Sequence, residues 1–440
     1  MLAVIRSWPY WPVVSHPTLR RVLPGIAVSS LGDGMGTVAV AWLALQLVPG
    51  PAQALWVAAA VAAYSLPGAV GALALSRLLA RRAGARLAGW NATLRAGALG
   101  AAAVASAAGA LTPAGYVALL AMSSLLGVWG SAGTLTMIAQ TLPDEHRLAG
   151  NALFSMLAMT GFIAGPALAG LLVIASGPAL VIGIDAITFA VLAASYLLAV
   201  PRTRPSGRAS ARASGRGRAS GPECAAANGH DGSVPESRPA GFRVIGASRQ
   251  LLGLTVVTFV FFLLYGPVEV ALPIHVHHDL HGSAAVLGSF WTLFATGEVL
   301  GGLVTAYLRR WKLWPTVTGI ILGWGACLLT TGASGSIGLA LAGFGVGGLI
   351  YAPFPAAKSS LVQRISPPRD LTAVLAAQGA ITLCAPSIGE ILGGPLVTAI
   401  GARHTLLFSA AVTLALGLAT GTGATANAVR RRKVPIRSQA

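Results

Sequence analysis

Residues 161–177 read GFIAGPALAGLLVIASG, and residues 385–401 read APSIGEILGGPLVTAIG. A single offset superposes Gly165 on Gly389, Gly170 on Gly394 and Gly177 on Gly401. Upstream, Pro143 falls on Pro367 at the same offset. A second pairing sets Gly71 against Gly302, each followed by arginines. Repeats of this length mark a duplicated helical bundle. Around them lie twelve apolar segments, near 22–48, 54–78, 86–110, 114–139, 151–175 and 178–200, then 249–272, 284–308, 313–332, 336–357, 371–399 and 402–424. About 20 apolar residues span the ~30 Å hydrocarbon core as a helix. The expected fold is an all-α membrane protein of twelve transmembrane helices, built as two pseudo-symmetric six-helix bundles.

Composition agrees. Hydrophobic residues make up 55% of the 440 and charged residues only 10%, whereas a soluble domain carries about 25% charged residues. The formal net charge of +18 raises the question of nucleic acid, which the placement of the charges answers. Of the 30 Lys and Arg residues, all but Arg95 and Arg403 fall in segments that the helix count assigns to one side. This is the positive-inside pattern. It predicts a cytoplasmic-membrane protein with both termini in the cytoplasm and excludes nucleic-acid binding. The expected divisions are an interfacial arm (1–21), a first bundle (22–200), a flexible basic linker (201–247), a second bundle (248–424) and a basic tail (425–440). Six arginines between Arg202 and Arg218, spaced by Ser, Gly, Ala and Pro, cannot bury a core. Linker and tail can lie against anionic lipid headgroups. Cys224, Cys327 and Cys384 suggest neither a disulfide nor a metal site.

The stretch PDEHRLAGNALFSMLAMTGFIAGPALAG (143–170) resembles the major facilitator superfamily, especially its drug- and siderophore-exporting branch (enterobactin-exporter-like and macrolide-efflux-like). There an acidic, proline-bearing loop after helix four leads into a G-P-x-x-G helix five. The opening of helix one, SSLGDGMGTVAVAWLALQL (29–47), is similar to that branch too. The resemblance covers residues 20–425. It implies export of a small hydrophobic or amphipathic compound by alternating access, with proton antiport as the coupling to test, by a monomer.

In that family the helix-five motif marks antiporters, and Gly161, Gly165, Pro166 and Gly170 match it, with Ala169 where a glycine is usual. Small residues four apart let helices approach closely, and Pro166 bends the helix. Gly71, Gly389 and Gly394 join these as gating or packing positions. Other signatures are degraded. Leu75 stands where the loop after helix two usually carries aspartate, and GLVTAYLRRWK (302–312) lacks that residue as well. Ser123 replaces the helix-four arginine of proton-coupled members.

Charges at membrane depth cost ~2.5–3.5 kcal/mol each on insertion scales and are functional candidates by default. They are Asp33, Arg95, Asp185, Glu269, Glu298 and Glu390. At about 1.5 Å per residue, Asp33 and Glu298 fall near the midplane. A carboxylate there can carry a proton or pair with a cationic substrate. Glu298 is the first candidate and Asp33 the second, followed by Glu269 and Glu390. Asp33 can instead pair with Arg95, and Arg95 and Asp185 read as structural charges. Of the aromatics Phe259, Phe262, Tyr265, Phe290, Trp291, Phe294 and Tyr351, the favoured cavity-lining pair is Trp291 and Phe294, because Phe294 lies one turn from Glu298. Among the outer residues, His275, His277, His278, His281 and Asp279 invite a zinc or copper reading, but their spacing matches no closed site. No metal and no cofactor is expected, and no phosphate loop for ATP is present. The alternatives are an importing or lipid-moving relative, a polytopic membrane enzyme, and a ligand sensor without turnover.

Overall fold

The computed structural model describes residues 10–79, 82–199, 238–305, 312–367 and 370–432. Among them there is no strand. The first bundle consists of α1 (Pro17–Leu47), α2 (Gln53–Ala74), α3 (Gly84–Ala107), α4 (Pro113–Thr141), α5 (Asp144–Ser176) and α6 (Pro178–Ala199). The second consists of α7 (Arg249–Ile274), α8 (Ala284–Thr305), α9 (Leu313–Ala333), α10 (Ile337–Ile365), α11 (Leu371–Ile400) and α12 (Ala402–Arg432). Eleven are long and apolar enough to cross a membrane. The exception is α3, alanine-rich and interrupted by Arg95, which packs along α6 and α4. Leu171, Ile174, Leu197, Leu198, Leu303 and Leu339 are exposed, as side chains that face lipid are.

The halves repeat each other down to their helix ends. Gly177 closes α5 and Gly401 closes α11, with φ of +84° and +83° and ψ of 160° and 163°. That region of backbone space is essentially reserved for glycine. Each returns its N–H to a valine carbonyl, Val173 or Val397, and a new helix starts at the next residue. The fourth helix of each half is broken as well, α4 at Leu125–Leu126 and α10 at Ala352–Pro353.

Several boundaries differ from expectation. The first turns of α5 begin at Asp144, where a loop was expected. Asp144 and Glu145 occupy the first turn, which suits the positive end of the helix dipole, and Arg147 pairs with Asp144 one turn on. Pro17 opens α1, with His16 accepting from the Thr18 amide. The expected interfacial arm is therefore partly helical, and Trp8 lies outside the described residues. Residues Arg238–Ala247, assigned to the flexible linker, form a helix. This portion has traded the Ser/Arg-dense pattern for Phe242, Val244 and Ile245, and Ile245 is buried. Its Gly241 sits on the backbone of Ala373 in α11. The rest of the linker (201–237), Arg309, Arg310 and residues 433–440 lie outside the described residues, while α12 runs on past the expected 424.

Two ends of the molecule follow from the order of the helices. The near end carries Ala199 and Arg238, the two sides of the linker. The far end carries the 48–52, 108–112, 280–283 and 334–336 connections together with Gly177 and Gly401. Replacing Gly401 by alanine forces a side chain into a glycine-only conformation. It should lower stability by about 1–3 kcal/mol, read as a lower unfolding midpoint of the purified protein, with Gly177→Ala giving the same loss.

Candidate functional site

Two seams join the bundles, α5 against α8 and α2 against α11. The repeated glycines build them, and the two glycines of each copy do different work. Gly165 lies against the backbone of Gly34 and Met35 in α1, and its counterpart Gly389 lies against Leu263 and Gly266 in α7. Both contacts are within a bundle. Gly161 likewise seats on the Ser30 carbonyl. The second glycine of each copy reaches across. A Cβ on Gly170 would come 2.6 Å from the Ala285 Cα of α8, and one on Gly394 would come 2.8 Å from the Ala58 Cβ of α2. Opposite, Gly288 of α8 rests on the Pro166 carbonyl. Gly71 and Gly302 do not share a packing role. Gly71 meets the Leu125 carbonyl at the break in α4, and it is Gly301 that meets Leu349 and Ala352 beside the break in α10, while Gly302 faces open space. Gly71 thus packs its own bundle.

The hydrogen bonds between bundles fall at the far mouth and at mid-depth. Thr292 of α8 donates to the Ile163 carbonyl of α5 (3.0 Å). Ser65 of α2 donates to a Glu390 carboxyl oxygen of α11 (2.6 Å) and lies 3.2 Å from the Ser387 hydroxyl. At the mouth, His278 Nε2 is 2.7 Å from Gln53 Oε1, and the His277 ring meets Trp42 edge-on with centroids 5.4 Å apart. The contacts that hold the bundles together lie at the far end and at mid-depth.

The charges at membrane depth divide into two groups. On the first bundle, Arg95 of α3 pairs with Asp33 of α1 at 2.6 Å, donates to the Tyr64 hydroxyl at 2.5 Å and lies 4.2 Å over the Phe189 ring. Tyr64 in turn donates to Asp33 over 3.5 Å. Asp185 of α6 is buried against Gly32 and Gly36 and accepts from Thr188 (3.2 Å). Asp33, expected as a candidate carrier, is therefore a salt-bridge partner, the alternative the sequence also offered. The guanidinium pairs with Asp33 and lies within electrostatic reach of Asp185, which makes a charged core at this depth tolerable. On the second bundle, Glu390 is 2% exposed and lies beside Glu269 of α7, with Tyr265 one turn earlier on the same helix. Glu298 of α8 is half-buried, within electrostatic reach of Tyr265 and Tyr351. Three of the four expected carboxylates thus lie within electrostatic reach of one tyrosine, Tyr265.

Aromatic rings wall this group. Phe294 contacts Trp324, Phe344 and Tyr351 at centroid distances of 5.6, 5.4 and 6.0 Å, and Trp291 meets Phe344 at 5.7 Å with its indole nitrogen buried and unpartnered. Phe290, by contrast, is fully buried in the bundle core. Sequence reasoning missed Tyr64, Ser65, Ser387 and Gln53, whose only signal was a polar group in an apolar run. It also placed Lys358 in a loop. The residue lies inside α10, donates to Thr382 (2.8 Å) and stands 5.7 Å from the Phe262 ring. The outer histidines hold no metal geometry. His275 binds Asp279 (2.7 Å), and among the described residues no three ligand-type side chains gather.

The family model described as Major Facilitator Superfamily matches residues 22–268 and 254–433. The chain belongs to the Major Facilitator Superfamily. Solved structures of the same fold include a bacterial homologue of the human lysosomal transporter Spinster, inward-facing and unoccupied. It shares 12% identity over 93% of this chain and 96% of that one, with a TM-score of 0.66. The nucleoside transporter NupG shares 14% over 92% and 98%, TM-score 0.65. An inward-facing bacterial homologue of the iron transporter ferroportin shares 14% over 91% and 98%, TM-score 0.64. At such identities the likeness is one of fold. No curated protein sequence matches. Family and fold are those of multi-pass membrane transporters.

The two kinds of glycine should separate in experiment. Gly165→Val drives a side chain into the α1 backbone of its own bundle and should cut the yield of folded protein severely. Gly170→Val obstructs only the seam with α8, so the protein should fold while its far end becomes accessible to a membrane-impermeant thiol reagent at a cysteine placed at Ser289. Arg95→Met strands two carboxylates and should cost about 3 kcal/mol of stability. Adding Asp33→Asn should restore part of that loss in thermal unfolding.

Proposed function

We propose that the chain is a secondary active exporter of a small hydrophobic or amphipathic compound. It works by alternating access in the bacterial cytoplasmic membrane, with the linker end in the cytoplasm and protons as counter-ion. One observation carries this reading: a membrane-depth carboxyl group, Glu390, is itself part of the seam that shuts the far end. Two carboxylates set side by side in the span repel each other unless one binds a proton, so the Glu269–Glu390 pair is a place where a proton can be taken up. When α2 leaves α11, Ser65 withdraws and the pair meets far-side water. A proton can then be exchanged on one side and a cargo on the other without both paths being open. The aromatic wall at Phe294 and Tyr351 supplies apolar surface for the cargo, and Glu298, half-buried and without an ion pair among the described residues, faces the same region.

Export as the direction is supported by the likeness of 143–170 to the exporting branch, and the orientation by the placement of Lys and Arg. Import by the same fold is the second reading. The Lys358 ammonium, inside the membrane span, is the observation that favours it for an anionic cargo.

The test is an efflux panel in cells stripped of their own exporters, repeated with inverted vesicles. Wild type should lower accumulation of at least one lipophilic antibiotic or dye in cells and concentrate it in inverted vesicles under an inward-acid gradient. Glu269→Gln and Glu390→Gln should each reduce gradient-driven transport at least tenfold. Glu298→Gln should raise the concentration needed for half-maximal transport. Uptake into cells, or transport by Glu390→Gln that still follows the pH gradient, would reject the reading.

A further inference from the structure

At the end of α7 the helix widens into a single π turn, His275–Asp279. Such turns recur at functional positions. This one brings two exposed imidazoles to the far mouth, His277 and His278, and both touch the other bundle. His278 Nε2 lies 2.7 Å from Gln53 Oε1. Gln53 is buried, and its amide nitrogen already donates to the Leu45 carbonyl at 2.8 Å. Its oxygen, not its NH2, is therefore turned to the histidine, which must be the donor. Beside it the His277 ring lies against Trp42 at 5.4 Å.

An acceptor fixed in this way binds a cationic donor better than a neutral one, because charge-assisted hydrogen bonds are roughly twice as strong. We propose that His278 and Gln53 latch the far mouth, and that protonation of the imidazole pair tightens the latch, so that acid on that side holds the mouth closed. This goes beyond the export reading and does not depend on which compound is carried.

The surroundings fit one added charge. The His277 and His278 rings are 4.8 Å apart, close enough that two positive charges there would repel. On the same turn Asp279 is engaged by His275, and His281 follows with φ of +49°. From α12, Arg403 is bound to the Gly332 and Ala333 carbonyls and His404 to the Ile400 carbonyl. The α1 and α2 residues on the other side of the latch, Trp42, Leu45 and Gln53, are uncharged. The sign follows directly: closure keeps the charge-assisted bond and opening loses it, so the closed fraction rises as pH falls through the imidazole range, about 5 to 8.

The test is the distance across the far mouth. Spin labels on cysteines at Ala110 and Gly335, with Cys224, Cys327 and Cys384 replaced by serine, are read by double electron–electron resonance in nanodiscs at pH 8 and pH 5.5. The closed-to-open ratio of the otherwise native protein should rise about fivefold in acid, as a bond gaining about 1 kcal/mol gives. His278→Gln keeps a neutral donor and should stay folded but lose that step. The response of the cavity carboxylates persists in this variant, so the difference between the two proteins reads the latch alone. Gln53→Glu should enlarge the step. An unchanged acid response in His278→Gln, or a mouth that opens in acid, overturns the proposal. Because no cargo is added, either result leaves the export reading where the efflux panel puts it.

Discussion

Everything in this molecule rests on helix backbones touching without side chains between them. In water, helices associate by hiding apolar surface, but lipid removes that incentive, and close van der Waals packing with interhelical hydrogen bonds must supply cohesion. Gly34 against Gly161 and Gly165, and Gly266 against Gly389, are where this happens inside each bundle. Gly170 and Gly394 extend the same chemistry across the midline. Among the described residues the hydrogen bonds that cross between bundles are few. Cohesion within a bundle is therefore greater than cohesion between bundles, and this inequality lets two rigid units move as such.

The architecture was legible because three independent signals had to agree: apolar run length, the alternation of basic residues and the internal repeat. A wrong helix count would have broken the second and shifted the third. Boundaries were less legible where polarity and helicity part company. Asp144–Gly150 reads as a loop by composition, yet an acidic first turn is good helix-start chemistry. Arg238–Ala247 borders a Ser/Arg-rich tract, yet it holds enough apolar residues to dock on α11. Lys358 looks like the end of a span because it is charged, although its ammonium is met inside the membrane region by Thr382.

Within the site, sequence reasoning found the costly residues and could not pair them. Six membrane-depth charges stand out on any scale, but which of them neutralise one another depends on helix rotation, and rotation is decided by packing. Asp33 and Glu298 sit at comparable depth. One ends in a salt bridge with Arg95, because α3 presents that arginine to α1, and the other meets no cation among the described residues. The serines and the glutamine that tie the bundles together were invisible for a different reason: Ser, Thr and Gln are common in membrane helices bonded to their own backbone, as Thr93 and Ser195 are here.

The Arg95 cluster has an evolutionary corollary. The ancestral duplication began with equivalent halves, yet polar chemistry has since been apportioned unevenly. The amino-terminal half pairs Asp33 with Arg95, whereas the membrane-depth acids of the carboxy-terminal half have no cation beside them among the described residues and stand near the aromatic rings. If the proposed role holds, drift in cargo preference among descendants of this gene should accumulate on α7, α8, α10 and α11 and leave the Asp33–Tyr64–Arg95–Asp185 quartet untouched.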